Sequence, residues 1–207
     1  GKAGQTLILS SPKDTQFTRI VLLGLGEKDK LDARIAETIG GKLYLALKGS
    51  GSSRAALNFD ESYGSGSCSA PEIAAHIAAG VKLRAYEFKK YKKNEDDNDD
   101  TSTEFEQFHI ISNQAKATED AYKPLSAAID GVYLARDLVN EPPNTLFPES
   151  FAQKIKDELK PLGVEVEILD EKKMEKQGFA AHLSVGMGSV RPPRVVVMRW
   201  NGAAKDQ

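Results

Sequence analysis

Two consecutive prolines, Pro142 and Pro143, inside the stretch ARDLVNEPPN (135–144) constrain this chain more than any other feature. Proline has no amide proton to give a helix, and its ring pushes the preceding residue out of the helical region. A helix entering this stretch must stop near Asn140 or Glu141, and the chain is expected to leave it stiff and extended. Such a helix does enter. Leu125, Ala128, Ile129, Val132, Ala135 and Val139 recur at steps of three and four, which predicts one apolar face of a long helix. Beyond the prolines, Asn144 and Thr145 followed by Pro148 and Glu149 predict a new helix, with proline in its first turn and an acid favoured by the dipole. A helix stop, a stiff spacer and a helix start in so short a span describe a domain junction.

With 207 residues, 40% of them hydrophobic, the chain can bury a core and can hold one large or two small domains. Twenty-eight basic residues nearly balance thirty acidic ones, for a net charge of -2 and a pI near 6.0. That balance provides no global attraction to nucleic acid or to an anionic membrane. The lone Cys68 excludes an internal disulfide and a multi-cysteine zinc or iron–sulfur site. No apolar run reaches the roughly 18 residues of a membrane span, and no signal peptide is read at the start. The expectation is a reducing, cytoplasmic setting.

In chain order, Thr6–Leu9 and Arg19–Leu25 predict strands, the second buried on both faces. Gly24 and Gly26 predict a turn into a helix over 28–39, with Leu31, Ile35 and Thr38 inward and Gly40-Gly41 as its cap. Lys42–Leu47 then predicts a strand, and strand, helix, strand predicts a βαβ crossover in a parallel sheet. Residues 49–69 read as a loop holding one short strand near Ala55–Phe59. Pro71–Phe88 predicts a helix and Phe105–Ile111 a strand, closing an α/β domain near Ser112. After the linking helix and junction (113–144), residues 145–207 begin a second α/β domain. There a helix over Glu149–Leu162 is closed by Pro161 and Gly163, Val164–Leu169 alternates as a strand, and Lys172–Gln177 forms a short helix ended by Gly178. His182–Val185 leads into Gly186-Met187-Gly188, and Arg194–Trp200 belongs in a sheet interior.

Signals for chemistry are weak one by one. His76, His109 and His182 lie far apart, with no HExxH spacing, and there is no G-x-S-x-G elbow. Gly24-Leu25-Gly26 stands where a dinucleotide turn would, but Asp29 occupies the place of the third glycine. Gly49-Ser50-Gly51-Ser52-Ser53-Arg54 lacks the G-K-[ST] ending of a phosphate loop. Glu95, Asp96, Asp97, Asp99 and Asp100 lack the glycine and closing glutamate of a calcium loop, so the insertion over 94–103 reads as solvated and mobile. Lys89, Lys90, Lys92 and Lys93 with Tyr86 and Tyr91 form a basic, aromatic patch, which the adjoining acids neutralise.

ARDLVNEPPN with Pro148 and Phe151 after it resembles the entry to the catalytic domain in the leucyl aminopeptidase (cytosol aminopeptidase) family. The resemblance continues through Leu169-Asp170-Glu171, Met174, Gly178, residues 184–189 (SVGMGS), Pro192-Pro193-Arg194 and Asn201-Gly202. Backwards it takes in Gly80, Leu83, Tyr86, Phe88 and Tyr91, and Val21–Gly26. It implies a macro-like N-terminal α/β domain that lacks its first strands here, a long linking helix, and the start of a catalytic α/β domain with a central mixed sheet.

For function the resemblance implies removal of N-terminal amino acids, preferably leucine, from peptides by two divalent metal ions, zinc or manganese, in a cytoplasmic homohexamer built as a dimer of trimers. The ions would activate a water and polarise the scissile carbonyl. The family's ligands and catalytic side chains lie in motifs of the type VGKG-x-TFDSGG and NTDAEGR, and neither is present. Gly41-Lys42-Leu43 is an accidental match in the other domain. No catalytic or metal residue is therefore assigned, and substrate-binding residues stay unassigned. Asp170, Glu171, Glu175 and Asp206, the carboxylates of the second domain's strand end, helix and tail, are expected to be solvated. The expectation is a portion of an aminopeptidase whose catalytic residues lie C-terminal to Gln207. The alternative is a stand-alone, non-catalytic module that binds a ligand, nucleic acid or a partner protein.

Overall fold

The computed structural model describes residues 1–48, 50–64, 67–92 and 105–202. The charged insertion read at 94–103 lies outside them, as do Lys93 and Asp206. Two compact units are present, Gly1–Arg136 and Asp137–Gln207.

The first unit opens with an antiparallel pair, β1 (Thr6–Ser10) and β2 (Arg19–Leu23), with Thr6 opposite Leu23 and Ser10 opposite Arg19. Val21 and Leu23 pack on the core while Leu22 points into solvent. The expectation that β2 is buried on both faces is thus corrected: it is one-sided, as antiparallel pairs commonly are. After a single 3-10 turn, helix α1 (Ala33–Leu47) begins at Asp32, whose carboxylate accepts from the Ile35 amide at 2.7 Å.

Helix α1 does not stop at Gly40-Gly41. It continues to Leu47, so the strand expected over 42–47 is helix. Leu43, Tyr44 and Leu47 prolong the buried stripe of Ala36, Ile39 and Gly40 at helical spacing, and the alternation of KLYLAL is too short to oppose it.

Helix α2 (Ala70–Ala85) starts with a reciprocal cap. The Ser69 amide donates to Glu72 at 2.7 Å, and the Glu72 amide donates to the Ser69 hydroxyl at 3.4 Å. It packs on α1 through Ile73, Ala74 and Ile77, all fully buried. Strands β3 (Arg54–Asn58) and β4 (Gln107–Ile111) pair in parallel, Arg54 opposite Gln107. The crossover unit is therefore β3–α2–β4, not the expected β2–α1–strand.

Helix α3 (Ala115–Asn140) is 26 residues long, runs through Pro124 and ends where the prolines require. Its inward face is not the expected one. Ile129 is buried, but Val132 and Val139 are exposed, and the residues turned towards α2 are Ser126, Asp130, Tyr133 and Arg136.

In the second unit, α4 (Pro148–Leu159) passes through a 3-10 turn to Gly163, whose φ of 79° gives the left-handed stop that Pro161 and Gly163 predict. Strands β5 (Glu165–Leu169) and β6 (Val195–Arg199) are antiparallel, Glu165 opposite Arg199. Between them come α5 (Glu171–Lys176), ended by Gly178 at φ 79°, and α6 (Ala180–Gly186), which makes a helix of the segment read as a lead-in to the glycines. Ala152, Leu169 and Met174 are the unit's buried apolar residues among those described. The outer residues of β6, Met198 and the following Trp200, are open to solvent, against the expected sheet interior.

Candidate functional site

The junction is the most constructed local feature of the second unit. It is a turn rather than the extended spacer that two prolines suggest. The Pro142 carbonyl accepts from the amides of Thr145 and Leu146, both at 2.9 Å. Ser150 fastens the next helix to this turn: its hydroxyl donates to the Thr145 carbonyl at 2.8 Å and accepts from the Phe147 amide at 3.0 Å. The Arg191 guanidinium lies 3.8 Å above the centre of the Phe147 ring. The largely buried Arg194 approaches Glu149 at 3.6 Å. Arg191 and the PPR segment are thereby tied to the start of α4, although they stand some forty residues away in sequence.

Upstream, Tyr133 and Arg136 act on the end of α2. A helix leaves its last carbonyls without partners. The Tyr133 hydroxyl donates to the Lys82 carbonyl, and Arg136 Nη1 donates to the Leu83 carbonyl at 3.1 Å. Arg136 also lies 5.3 Å from the centre of the Tyr86 ring, which meets Tyr133 edge-on at 5.0 Å. Burial holds the Tyr133 phenol above its usual pKa. Lys82 completes the seam, donating to Ser126 at 2.9 Å and to Asp130 at 2.6 Å. Sequence periodicity missed this face because a tyrosine and an arginine do not register as an apolar stripe. The available signal was their spacing of three, which puts Tyr133 and Arg136 side by side on one face of the helix.

The histidines do not meet. His76 Nδ1 is 2.9 Å from Glu37, His109 stands exposed on β4 and His182 exposed on α6. Asp170 accepts from the Lys173 amide at 2.9 Å and so caps α5, while Glu171 and Glu175 face solvent. Among the described residues no group of three or more histidines, cysteines, aspartates or glutamates is placed to hold a metal ion.

Gly24 and Gly26 turn tightly against residues 1–3, where a β-carbon on Gly24 would lie 2.4 Å from the Lys2 carbonyl oxygen. This is close backbone packing and not a nucleotide turn. In the basic patch, Lys89 pairs with Glu87 at 3.3 Å and Lys90 lies 5.5 Å from the Tyr91 ring centre. No helix among the described residues is long and apolar enough to cross a membrane.

A family model described as the cytosol aminopeptidase family, N-terminal domain, matches residues 1–95, and one described as the same family's catalytic domain matches residues 133–207. The chain belongs to the cytosol aminopeptidase family. Within that family, a protein named "Probable cytosol aminopeptidase" from Rhizobium etli is 42% identical over 208 residues, covering all of this chain and 41% of the relative. Its namesake from Nitrobacter hamburgensis is 38% identical over 207 residues, again covering the whole chain and 40% of the relative. The chain thus spans about 40% of the length of these relatives. Two solved structures share the fold at 24% identity: the bottromycin maturation enzyme BotP in complex with Mn, with a TM-score of 0.79 over 97% of this chain and 40% of that one, and a variant of tomato leucine aminopeptidase, with 0.75 over 96% and 38%. The match to the catalytic domain starts at Tyr133, the residue that fastens α3 to the end of α2.

Proposed function

We propose that this chain is a portion of a dimetal leucyl aminopeptidase that removes N-terminal residues, preferably leucine, from peptides. The observation that carries the reading is the pair of family matches, N-terminal domain followed by catalytic domain, on a chain 38% to 42% identical along its length to proteins named cytosol aminopeptidases. In this reading residues 1–112 form the N-terminal domain, 113–144 the linking helix and junction, and 145–207 the start of the catalytic domain.

The described residues do not fit a divalent metal pair. Dimetal hydrolysis needs several carboxylate or imidazole donors converging on each ion. Here Asp170 is spent on a helix cap, and Glu171 and Glu175 point into water. The ligands for two zinc or manganese ions, and the catalytic side chains, belong to the part of the protein outside these residues. What this chain contributes is positional: α4 fastened through Ser150, Arg191 and Arg194, and the pair β5–β6 on which further strands of a catalytic sheet can add. A cytoplasmic hexamer, two trimers with catalytic domains at the centre, is the assembly this reading carries.

The test compares the full-length protein with residues 1–207, using leucyl p-nitroanilide with added manganese or zinc, and metal analysis after dialysis. The full-length protein is expected to release nitroaniline in a metal-dependent way and the 207-residue chain to bind no stoichiometric metal and release none. A full-length protein without metal-dependent turnover would refute the reading. Two equivalents of metal and turnover in the shorter chain would place the active site within it.

A further inference from the structure

Helix α2, strand β4 and the first turns of α3 line a pocket of about 430 Å³ in the first unit, a size within the range of small-molecule sites. Its walls follow from three periodicities. Ala78, Val81 and Ala85 stand at steps of three and four on α2, Phe108 and Ile110 two apart on one face of β4, and Thr118 and Tyr122 four apart on α3. Phe105 adds to the apolar lining, its ring centre 6.4 Å from that of Phe108. The polar groups of the pocket are not equivalent. Lys82 already serves Ser126 and Asp130, and Glu119 pairs with Lys116 at 3.6 Å and Lys123 at 3.3 Å. The buried Thr118 donates its hydroxyl to the Gln114 carbonyl at 3.2 Å. Glu106 differs: its carboxylate meets no cation and no hydrogen-bond donor among the described residues, and the Tyr122 hydroxyl has no hydrogen-bond partner among them either. The pocket thus combines one unmatched negative charge with aliphatic and aromatic walls. Such a lining disfavours an anion and suits a cation whose other end is apolar.

We propose that this pocket binds a small primary amine with an apolar body, the ammonium group donating to Glu106 and the body lying on Val81, Ala85, Phe105 and Phe108. The Tyr122 hydroxyl is a further acceptor on the same lining. Burial of the apolar body supplies affinity, and the charge-assisted hydrogen bond supplies the preference for an amine over an acid of the same shape. The natural occupant is a free amino acid of the leucine type, the product that an aminopeptidase releases. That choice of occupant rests on the proposed function, whereas the amine chemistry rests on the pocket alone.

The probe is photo-leucine, whose side chain carries a diazirine, added to the full-length protein. After irradiation the labelled peptides are mapped by mass spectrometry. Two competitors share the branched side chain: 3-methylbutylamine keeps the ammonium group, and 4-methylpentanoate lacks it. Label is expected within residues 78–85 or 105–122. Excess leucine or 3-methylbutylamine should remove that label, and 4-methylpentanoate should leave it. Glu106→Gln, at an exposed position, should weaken labelling there about ten-fold, the worth of one charge-assisted hydrogen bond. Ala78→Trp fills the pocket from α2 and should abolish it. Circular dichroism checks that each variant folds; should Ala78→Trp fail to, Glu106→Gln and the competition in the parent protein decide. Absence of label from both segments overturns the proposal, as does label displaced equally well by 4-methylpentanoate or undiminished in Glu106→Gln. Turnover of leucyl p-nitroanilide by the same protein bears on the aminopeptidase reading alone, so the two can fail separately.

Discussion

Gly40 of α1 and Gly80 of α2 are each fitted into the backbone of the opposite helix. A β-carbon on Gly40 would lie 2.0 Å from the carbonyl oxygen of Ile77, and one on Gly80 would lie 2.0 Å from that of Glu37. Each clash falls three residues before the other glycine, so the pair forms a reciprocal notch that lets α1 and α2 approach along their whole contact. Ile73, Ile77 and Ile39 are sealed beneath it.

Gly40→Ala and Gly80→Ala are expected to destabilise the first unit by about 2 kcal/mol or more. Alanine gains about 1 kcal/mol in helix propensity, but a methyl group driven into a fixed carbonyl forces the helices apart. Gly41→Ala is the internal control. Its nearest neighbours would be 3.9 Å away, so the propensity gain stands and the thermal midpoint should hold or rise. A Gly40→Ala chain that melts no lower than the Gly41→Ala chain contradicts the notch.

Tyr133→Phe and Arg136→Ala remove the donors that serve the last carbonyls of α2. Each is expected to cost about 0.5–1.5 kcal/mol, with hydrogen exchange in the last turn of α2 quickening before that of its first turn. Uniform quickening along α2 would mean that the two side chains act only through general packing.

Hydrogen bonds from the Ser69 amide and hydroxyl hold the Glu72 carboxyl below its ordinary pKa of 4.5. A folded-state pKa below the unfolded one adds stability that is fully present above 4.5 and is lost as pH falls through the lowered value. An NMR titration of Glu72 should therefore show a midpoint below that of a model peptide. Ser69→Ala should return it towards the ordinary value and cost about 1 kcal/mol through the lost helix cap. An unmoved midpoint in the variant would dismiss the cap as the cause.

Replacing both Pro142 and Pro143 by glycine frees the unfolded chain and loosens the turn closed on the Pro142 carbonyl. Limited proteolysis between Glu141 and Thr145 should then run several-fold faster than in the parent. Equal rates would show that the turn is held by Ser150 alone.

The helix stop at Asn140, the prolines Pro71 and Pro148 in the first turns of α2 and α4, and the stops at Gly163 and Gly178 were legible because each rests on the local chemistry of one or two residues. Gly40-Gly41 misled for the same reason. Locally a glycine pair ends a helix, and only the partner helix, thirty to forty residues away in sequence, explains why glycine is needed mid-helix. The face of α3 was misread because its anchors, Tyr133 and Arg136, bind carbonyls through polar ends that an apolar periodicity does not count. The family was legible in ARDLVNEPPN and the motifs after it, and the matches to both family domains bear it out. The ties that give those motifs a role, Arg191 on Phe147 and Arg194 with Glu149, join residues about forty positions apart and could not be read from spacing.

Trp200 is the chain's single tryptophan and is 73% exposed beyond the end of β6, with Met198 on the same strand 53% exposed. Together with Val185, Met187 and Val190, which are also exposed, they leave the second unit with more open apolar surface than an isolated soluble domain commonly carries. A two-stranded sheet has little to hold its edges. The 207-residue chain should therefore self-associate as its concentration rises, and Trp200 emission should shift to the blue as it does so. At high dilution the indole should emit as in water and be readily quenched by acrylamide. Met198→Lys with Trp200→Lys should lower the scattering of the concentrated chain several-fold with little change in far-ultraviolet circular dichroism, because neither side chain holds the buried core. Quench-resistant emission in the dilute monomer would show that Trp200 is covered by its own chain, and undiminished scattering in the double variant would move the association to another surface.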